Sequence, residues 1–179
     1  MTVNGFVGGP NGELDWMQWD WDDRIKKFVN DLHIPVDTIL LGRKMTDGFV
    51  KYWENVITDP ANPEYELGRK MIETQKIVFT KTLDKSPWKN TSLAKGDLTE
   101  EIKKLQSKPG GDIIVYGGAE FVSNLVNAKL IDDYYLFINP SIINKGLTIF
   151  SGTEKLRRLK LIESTLFDCG INLLHYKSE

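Results

Sequence analysis

The clearest pattern of apolar and polar positions lies between Gly110 and Phe150. The run from Ile113 to Tyr116 is short, apolar throughout and bounded by glycines, which is typical of a strand buried on both faces. After two more glycines, apolar residues recur at the spacing of one helical face: Phe121, Val122, Leu125, Val126 and Leu130. A second apolar run from Tyr134 to Asn139 completes a predicted strand–helix–strand unit.

The same reasoning predicts the other elements of the chain. Strands are predicted at 3–7, 36–41, 76–79, 156–167 and 171–178, and helices at about 22–32, 45–53, 63–74 and 100–107. The last two strands alternate apolar and polar residues, as half-exposed antiparallel strands do. The resulting order, β, α, β, α, α, β, α, β, α, β, β, β, indicates an α/β domain with a mostly parallel sheet and antiparallel strands at its C-terminal end.

Composition narrows the class of protein. With 179 residues the chain is long enough for a sizeable core, and we predict a single domain over 1–179. A formal net charge of −2 argues against a nucleic-acid partner, and no apolar stretch is long enough to span a membrane. The single cysteine, Cys169, cannot form an internal disulfide, which favours a cytoplasmic location. His33 and His175 lie far apart without other ligands at metal spacing, so no metal site is predicted.

Two predicted strand-to-helix junctions contain glycine. Gly117 and Gly118 follow one strand and open a helix, and Gly42 followed by Arg43 does so after another. At Gly117–Gly118 the missing side chains allow an anion to approach the backbone, and the N–H groups at the start of the helix point towards it. The alternative is a tight turn with no ligand, since the full Rossmann fingerprint and the Walker A pattern are both absent.

The segment from Gly110 to Phe150 resembles the dihydrofolate-reductase-like superfamily. It is most similar to the branch that includes the C-terminal reductase domain of the bifunctional riboflavin-biosynthesis deaminase/reductase and its stand-alone relatives. The motifs that carry the resemblance are Gly117–Gly118, Leu130–Asp133, Asn139–Pro140 and Gly146–Phe150. The resemblance covers nearly the whole chain and implies a three-layer α/β/α fold with NADPH as the hydride donor.

The resemblance also implies which residues bind the cofactor. The phosphates would be bound by the two glycine junctions, and the adenosine end by the segment after the strand at 76–79, where Thr82 could add a second hydroxyl. The predicted cofactor-binding residues are Gly42, Arg43, Lys44, Thr80, Lys81, Gly117, Gly118, Ala119 and Glu120. Relatives usually carry threonine two residues after the arginine, whereas this chain has Met45 there, followed by Thr46.

The first part of the chain supplies the candidates for the acceptor side. Relatives carry a longer apolar strand before Val3, so either the true start lies upstream or this strand is shortened. Asn4 occupies a position that is aspartate in relatives and is a catalytic candidate. The substrate-binding candidates are Trp16, Trp19 and Trp21, because indole stacks well on flat heterocycles; a hydrophobic clamp on the following helix is the alternative.

Asp22 and Asp23 are the candidate proton donors, since folate reductases carry their active-site carboxylate near this helix start. Solvated surface carboxylates are the alternative interpretation of this pair.

The function implied by the resemblance is hydride transfer from NADPH to a pyrimidine- or pterin-like small molecule. The first candidate is 5-amino-6-(5-phosphoribosylamino)uracil reductase of riboflavin biosynthesis, without the deaminase half, because the chain has no deaminase zinc motif. Two alternatives are a dihydrofolate or pterin reductase and a non-catalytic nucleotide-binding dimer of the same fold. A homodimer is expected because relatives often associate through their C-terminal strands.

Overall fold

The computed structural model describes residues 1–153 and 156–179. The helices of this part of the chain are α1 (Asp23–His33), α2 (Arg43–Val56), α3 (Tyr65–Glu73), α4 (Leu98–Gln106) and α5 (Ala119–Asn127). Its strands are β1 (Val36–Gly42), β2 (Gln75–Phe79), β3 (Thr91–Ala94), β4 (Asp112–Gly117), β5 (Asp133–Ile138), β6 (Leu159–Leu166) and β7 (Asn172–Ser178).

The chain divides into two compact units, which hold one sheet each. The unit of residues 30–118 contains four parallel strands in the order β3-β2-β1-β4. The unit of residues 1–29 and 119–179 contains three antiparallel strands in the order β5-β7-β6. The predicted α/β class, with a mostly parallel sheet and antiparallel C-terminal strands, is therefore confirmed.

The core of the 30–118 unit forms where α2 and α3 cover the parallel sheet. Its buried members come from both strands and helices: Val36, Ile39, Leu41, Phe49, Val50, Trp53, Val56, Met71 and Val78. Gly68 allows α3 to lie close to α2, because a Cβ atom at this position would lie 2.9 Å from Cγ1 of Val56. The missing side chain thus sets the spacing of the two helices.

The core of the other unit includes an aromatic cluster around Phe28. Its ring lies 6.1 Å from that of Phe137 on β5 and 6.3 Å from that of Phe167, both edge-on. On the same sheet, Nε2 of His175 lies 2.6 Å from Oδ1 of Asp133, and the imidazole stacks on Tyr135 at 4.2 Å. His175 is therefore part of the packed sheet.

Two elements differ from the sequence prediction. The predicted strand at 3–7 is wrong: Gly5 has a φ of 89° and the N–H of Thr2 donates to the carbonyl of Phe6, so the segment turns. Only isolated bridges form in this part of the described chain, from Thr2 to Asn139 and from Gly8 to Leu147. The short strand β3 was not predicted, because four residues with little apolar pattern give no periodic signal.

A buried lysine closes the C-terminal end of α3. Lys76 on β2 is 1% exposed, and its ammonium donates to the carbonyls of Met71 at 2.9 Å, Ile72 at 2.9 Å and Thr74 at 2.8 Å. These carbonyls lie at the end of the helix, where a cation complements the helix dipole. Burial nevertheless lowers the pKa of Lys76 to about 8.

This lysine should make stability depend on pH. Between pH 8 and the ordinary lysine pKa of 10.5, the unfolded chain holds a proton on this group that the native protein has lost. The free energy of unfolding should therefore rise across this window by about 3 kcal/mol from this group alone. Urea denaturation at several pH values should show this rise in the parent protein and in Lys103→Met, which replaces an exposed lysine of α4. The rise should be absent in Lys76→Met. If the free energy of unfolding of Lys76→Met rises with pH as steeply as that of the parent protein, Lys76 is not the group responsible.

Candidate active site

Three parallel strands of the 30–118 unit end at the same level. Gly42, the last residue of β1, lies opposite Phe79, the last residue of β2. Leu41 on β1 lies opposite Gly117, the last residue of β4. In open α/β sheets, ligands bind beyond the carboxyl ends of parallel strands. The register therefore brings the predicted cofactor-binding segments of these strands to one edge.

At the first junction, β1 passes directly into α2. Gly42 is the N-cap residue, with extended dihedrals of φ −73° and ψ 138°, and it offers no side chain to the N–H groups of the first turn. The hydroxyl of Thr46 is fully buried and donates back to the carbonyl of Gly42 at 3.1 Å. An anion at this helix start would be bound by backbone N–H groups and by the exposed Arg43 and Lys44.

The second group of candidates follows β2. The hydroxyl of Thr80 accepts hydrogen bonds from the N–H groups of Thr82 at 3.2 Å and Leu83 at 3.3 Å, so it closes the turn after the strand. Nε of Arg43 donates to Oγ1 of Thr82 at 3.3 Å. The structure thus brings the guanidinium of Arg43 to the turn that carries the exposed Lys81. Thr82, which the sequence suggests as a second hydroxyl at the adenosine end, makes this connection.

At the third junction, the Gly117–Gly118 peptide bond is cis. Gly117 has a φ of 133°, and a Cβ atom at this position would lie 2.9 Å from the sulfur of Met45. In contrast, no atom of the described residues lies within 4 Å of the corresponding position on Gly118. A ligand could therefore approach the backbone at Gly118, after which α5 begins at Ala119 and exposes Glu120 in its first turn.

The acceptor-side candidates all lie in the other unit. The side-chain amide of Asn4 donates to the carbonyl of Ile143 at 2.7 Å and so holds the segment after β5. Trp16 is 9% exposed and its indole N–H donates to the carbonyl of Glu13 at 3.1 Å. The indole N–H of Trp21 donates to the carbonyl of Gln18, whereas Trp19 is 60% exposed. Of the three indoles, that of Trp19 is the most open to a flat ligand.

The two carboxylates at the start of α1 differ in their contacts. The carboxylate of Asp22 accepts from the N–H groups of Ile25 at 2.9 Å and Cys169 at 3.1 Å. The hydrogen bond from Ile25, the larger cause, and that from Cys169 hold the pKa of Asp22 below its usual value. Asp23 is fully exposed, 3.9 Å from the ammonium of Lys26. Asp22 therefore caps the helix, and the catalytic role of either residue stays a prediction.

The described residues contain no group of three His, Cys, Asp or Glu side chains that could hold a metal ion. No helix in the same residues is long and apolar enough to cross a membrane.

The two glycines of the third junction should respond differently to substitution. Gly117→Ala should lower the free energy of unfolding by about 1–3 kcal/mol, because alanine disfavours a φ of 133° and its methyl group meets Met45. Gly118→Ala should unfold at nearly the same denaturant concentration as the parent protein, since its methyl group meets open space. Chemical denaturation measures both, and equal losses would contradict the geometry.

Solved structures share this fold. A Shewanella sp. PV-4 protein assigned to riboflavin biosynthesis matches with a TM-score of 0.75 and 21% identity, over 100% of this chain and 95% of that one. A deaminase/reductase of Thermotoga maritima matches with a TM-score of 0.68 and 18% identity, over 99% of this chain and 54% of that one. Dihydrofolate reductase of Enterococcus faecalis, in complex with NADP(H), matches with a TM-score of 0.60 and 16% identity, over 100% of this chain and 92% of that one. The fold is therefore dihydrofolate-reductase-like.

Sequence relatives extend over the same length. The uncharacterized protein YyaP of Bacillus subtilis is 32% identical over 98% of this chain and 90% of its own. A second uncharacterized protein of that organism, YwjB, is 22% identical over 98% of this chain and 92% of its own. The family model of the RibD C-terminal domain matches residues 1–173, and the chain therefore belongs to the RibD C-terminal domain family.

Proposed function

We propose that the protein is an NADPH-dependent reductase that transfers a hydride to a pyrimidine-like small molecule. The observation that carries the proposal is the common edge of β1, β2 and β4, where two glycine junctions meet the cations Arg43 and Lys81. The family and the fold add support, because its structural neighbours include reductases. NADPH, when bound, supplies the hydride, and the protein orients donor and acceptor and excludes water.

In this proposal, the connections after β1, β4 and β2 bind different parts of the cofactor. The N–H groups at the start of α2, with Arg43 and Lys44, bind the cofactor phosphates. The open backbone at Gly118 binds them from the third junction. The hydroxyl of Thr80 accepts hydrogen bonds from N–H groups of its own turn, so Thr80 fixes the shape of the turn at the adenosine end of the cofactor. Lys81, in the same turn, supplies a positive charge at that end.

The first candidate for the acceptor is 5-amino-6-(5-phosphoribosylamino)uracil, the compound named for the Thermotoga maritima enzyme. The exposed indole of Trp19 would stack on its ring, and the side-chain amide of Asn4 holds the segment at Ile143. A pterin reductase needs a carboxyl group that can carry a proton in its site, whereas Asp22 caps a helix and Asp23 is fully exposed. The contacts of these two residues therefore favour the pyrimidine over dihydrofolate.

A cytoplasmic homodimer completes the proposal. Strand β6 lies at the edge of its sheet and exposes Leu161, Ile162 and Leu166 at 51%, 46% and 67%. Unpaired edges with apolar side chains are suited to pairing with a second strand.

Removing the Arg43 guanidinium should weaken cofactor binding. We expect Arg43→Ala to raise the dissociation constant for NADPH by about tenfold or more, because an arginine–phosphate contact contributes that much. Arg69→Ala, which removes an exposed arginine of α3 that pairs with Glu66 and Glu73, should bind as the parent protein does. Titration with NADPH, followed by quenching of tryptophan fluorescence, measures both.

The same titration separates the proposal from its alternatives. If the well-folded parent protein binds neither NADPH nor NADH, the cofactor assignment fails. If it binds NADPH and reduces none of a panel of pyrimidine, pterin and quinone acceptors, the non-catalytic nucleotide-binding dimer is the better description. A faster reaction with dihydrofolate than with the ribosylaminouracil would replace the first candidate by the pterin reductase.

A further prediction concerns the carboxylate at the start of α1. Asp22→Asn should lower the midpoint of thermal unfolding, because the amide offers one acceptor where the carboxylate offers two. It should leave the pH dependence of the reduction rate unchanged, since the group with a lowered pKa holds no proton near neutral pH. A proton donor makes the rate fall as the pH rises through its pKa, so loss of this fall in Asp22→Asn would instead identify Asp22 as the proton donor.

A further inference from the structure

The side chain of Met45, in the first turn of α2, contacts the end of β4. Met45 follows the exposed Arg43 and Lys44 in that turn. A Cβ atom on Gly117 would lie 2.9 Å from the sulfur of Met45 and 3.9 Å from its terminal methyl carbon. Because Gly117 has no side chain, the thioether packs directly against its backbone. The sulfur therefore lies beside one of the glycine junctions of the candidate site.

The two methionines of the 30–118 unit differ in exposure. Met71 on α3 is 0% exposed and belongs to the buried core. Met45 packs against that core but is only half-buried. A dissolved reagent reaches a fully buried side chain only after local opening, whereas it reaches a half-buried one in the native state. Met45 is therefore the methionine of this unit that an oxidant reaches first.

The reaction open to this side chain is oxidation of the thioether by a hydroperoxide. The sulfur attacks one oxygen of the peroxide, the O–O bond breaks and an S–O bond forms. The proton of the transferred oxygen passes to the leaving oxygen, which departs as an alcohol or, from hydrogen peroxide, as water. The sulfur loses two electrons and the peroxide gains them. The product, methionine sulfoxide, is polar where the thioether was apolar.

The added oxygen meets little room on the side of Gly117. Leu41 on β1 pairs with Gly117, so the sheet holds the backbone that the sulfur touches. The next residue offers open space: apart from its two chain neighbours, no described residue has an atom within 4 Å of the Cβ position on Gly118. A sulfoxide oxygen carries partial negative charge and accepts hydrogen bonds. Turned into this space, it repels an anion that approaches the backbone.

We propose that Met45 is an oxidation site and that its sulfoxide blocks the approach of a phosphate to the backbone at Gly118. The blocking role rests on the proposed function, in which this backbone binds the cofactor phosphates. The oxidation itself depends only on the exposure of the sulfur. Cofactor binding is then sensitive to peroxide, and reduction of the sulfoxide restores it.

The first experiment measures where peroxide reacts. The native parent protein is treated with hydrogen peroxide, and the oxidation of each methionine is followed by mass spectrometry of its peptides. Met45 should be oxidised at least about tenfold faster than Met71, which must wait for local opening. In concentrated urea the two rates should become equal. Equal rates in the native protein would overturn the assignment of the oxidation site.

The second experiment measures the effect on binding. Oxidation should raise the dissociation constant of the parent protein for NADPH by about fivefold or more. Treatment with methionine sulfoxide reductases should restore the affinity. Met45→Leu keeps the side-chain volume without the sulfur, so it should bind NADPH as the parent does and keep its affinity after peroxide. Met71→Leu is the matched control and should lose affinity on oxidation as the parent does.

Three outcomes would contradict the blocking role. NADPH binding that survives complete oxidation of Met45 would overturn it and leave the proposed function in place. An equal loss of affinity in peroxide-treated Met45→Leu would assign the effect to another residue. Loss of the native circular dichroism spectrum on oxidation would make the effect merely structural.

The untreated parent protein separates this inference from the proposed function. If it binds neither NADPH nor NADH, the proposed function and the blocking role fail together. The relative rates of oxidation of Met45 and Met71 still decide whether Met45 is an oxidation site, because that measurement uses no cofactor.

Discussion

The register of β1 between its two parallel neighbours is the constraint on which the candidate site depends. Because Gly42 lies opposite Phe79 and Leu41 opposite Gly117, three connections leave the sheet at one level. A slip of one residue would turn buried side chains such as Ile39 and Leu41 to the opposite face, so the core fixes the register. The apolar core and the position of the polar site are therefore set by the same pairing.

Much of the site could be predicted because it depends on local sequence. A buried strand followed by glycine and a helix start is recognisable without the fold, which is why the junctions at Gly42–Arg43 and Gly117–Gly118 were predicted where the structure has them. The side-chain contacts between distant parts of the chain could not be predicted in the same way. The contacts of Arg43 with Thr82 and of Trp88 with Asp47 join positions about 40 residues apart, and they exist only once the strands pair.

The first part of the chain shows the opposite case. Its apolar residues suggested a strand, but Gly5 turns the backbone, and within residues 1–153 and 156–179 this segment forms isolated bridges and no regular ladder. The tryptophans were grouped because they are close in sequence, yet Trp16 is buried and Trp19 is exposed. Asp22 was proposed as a proton donor from its position, whereas its hydrogen bonds to two N–H groups use both carboxylate oxygens. Composition and spacing carry no information on such contacts.

The burial of Lys76 has a consequence for chemical labelling. An acylating reagent needs a deprotonated amine that it can reach, and this amine is enclosed by three carbonyls at the end of α3. Exposed lysines such as Lys103 react from the native state, whereas Lys76 reacts only after the end of the helix opens. The rate of acylation of Lys76, measured by mass spectrometry, therefore reports how often the C-terminal end of α3 opens.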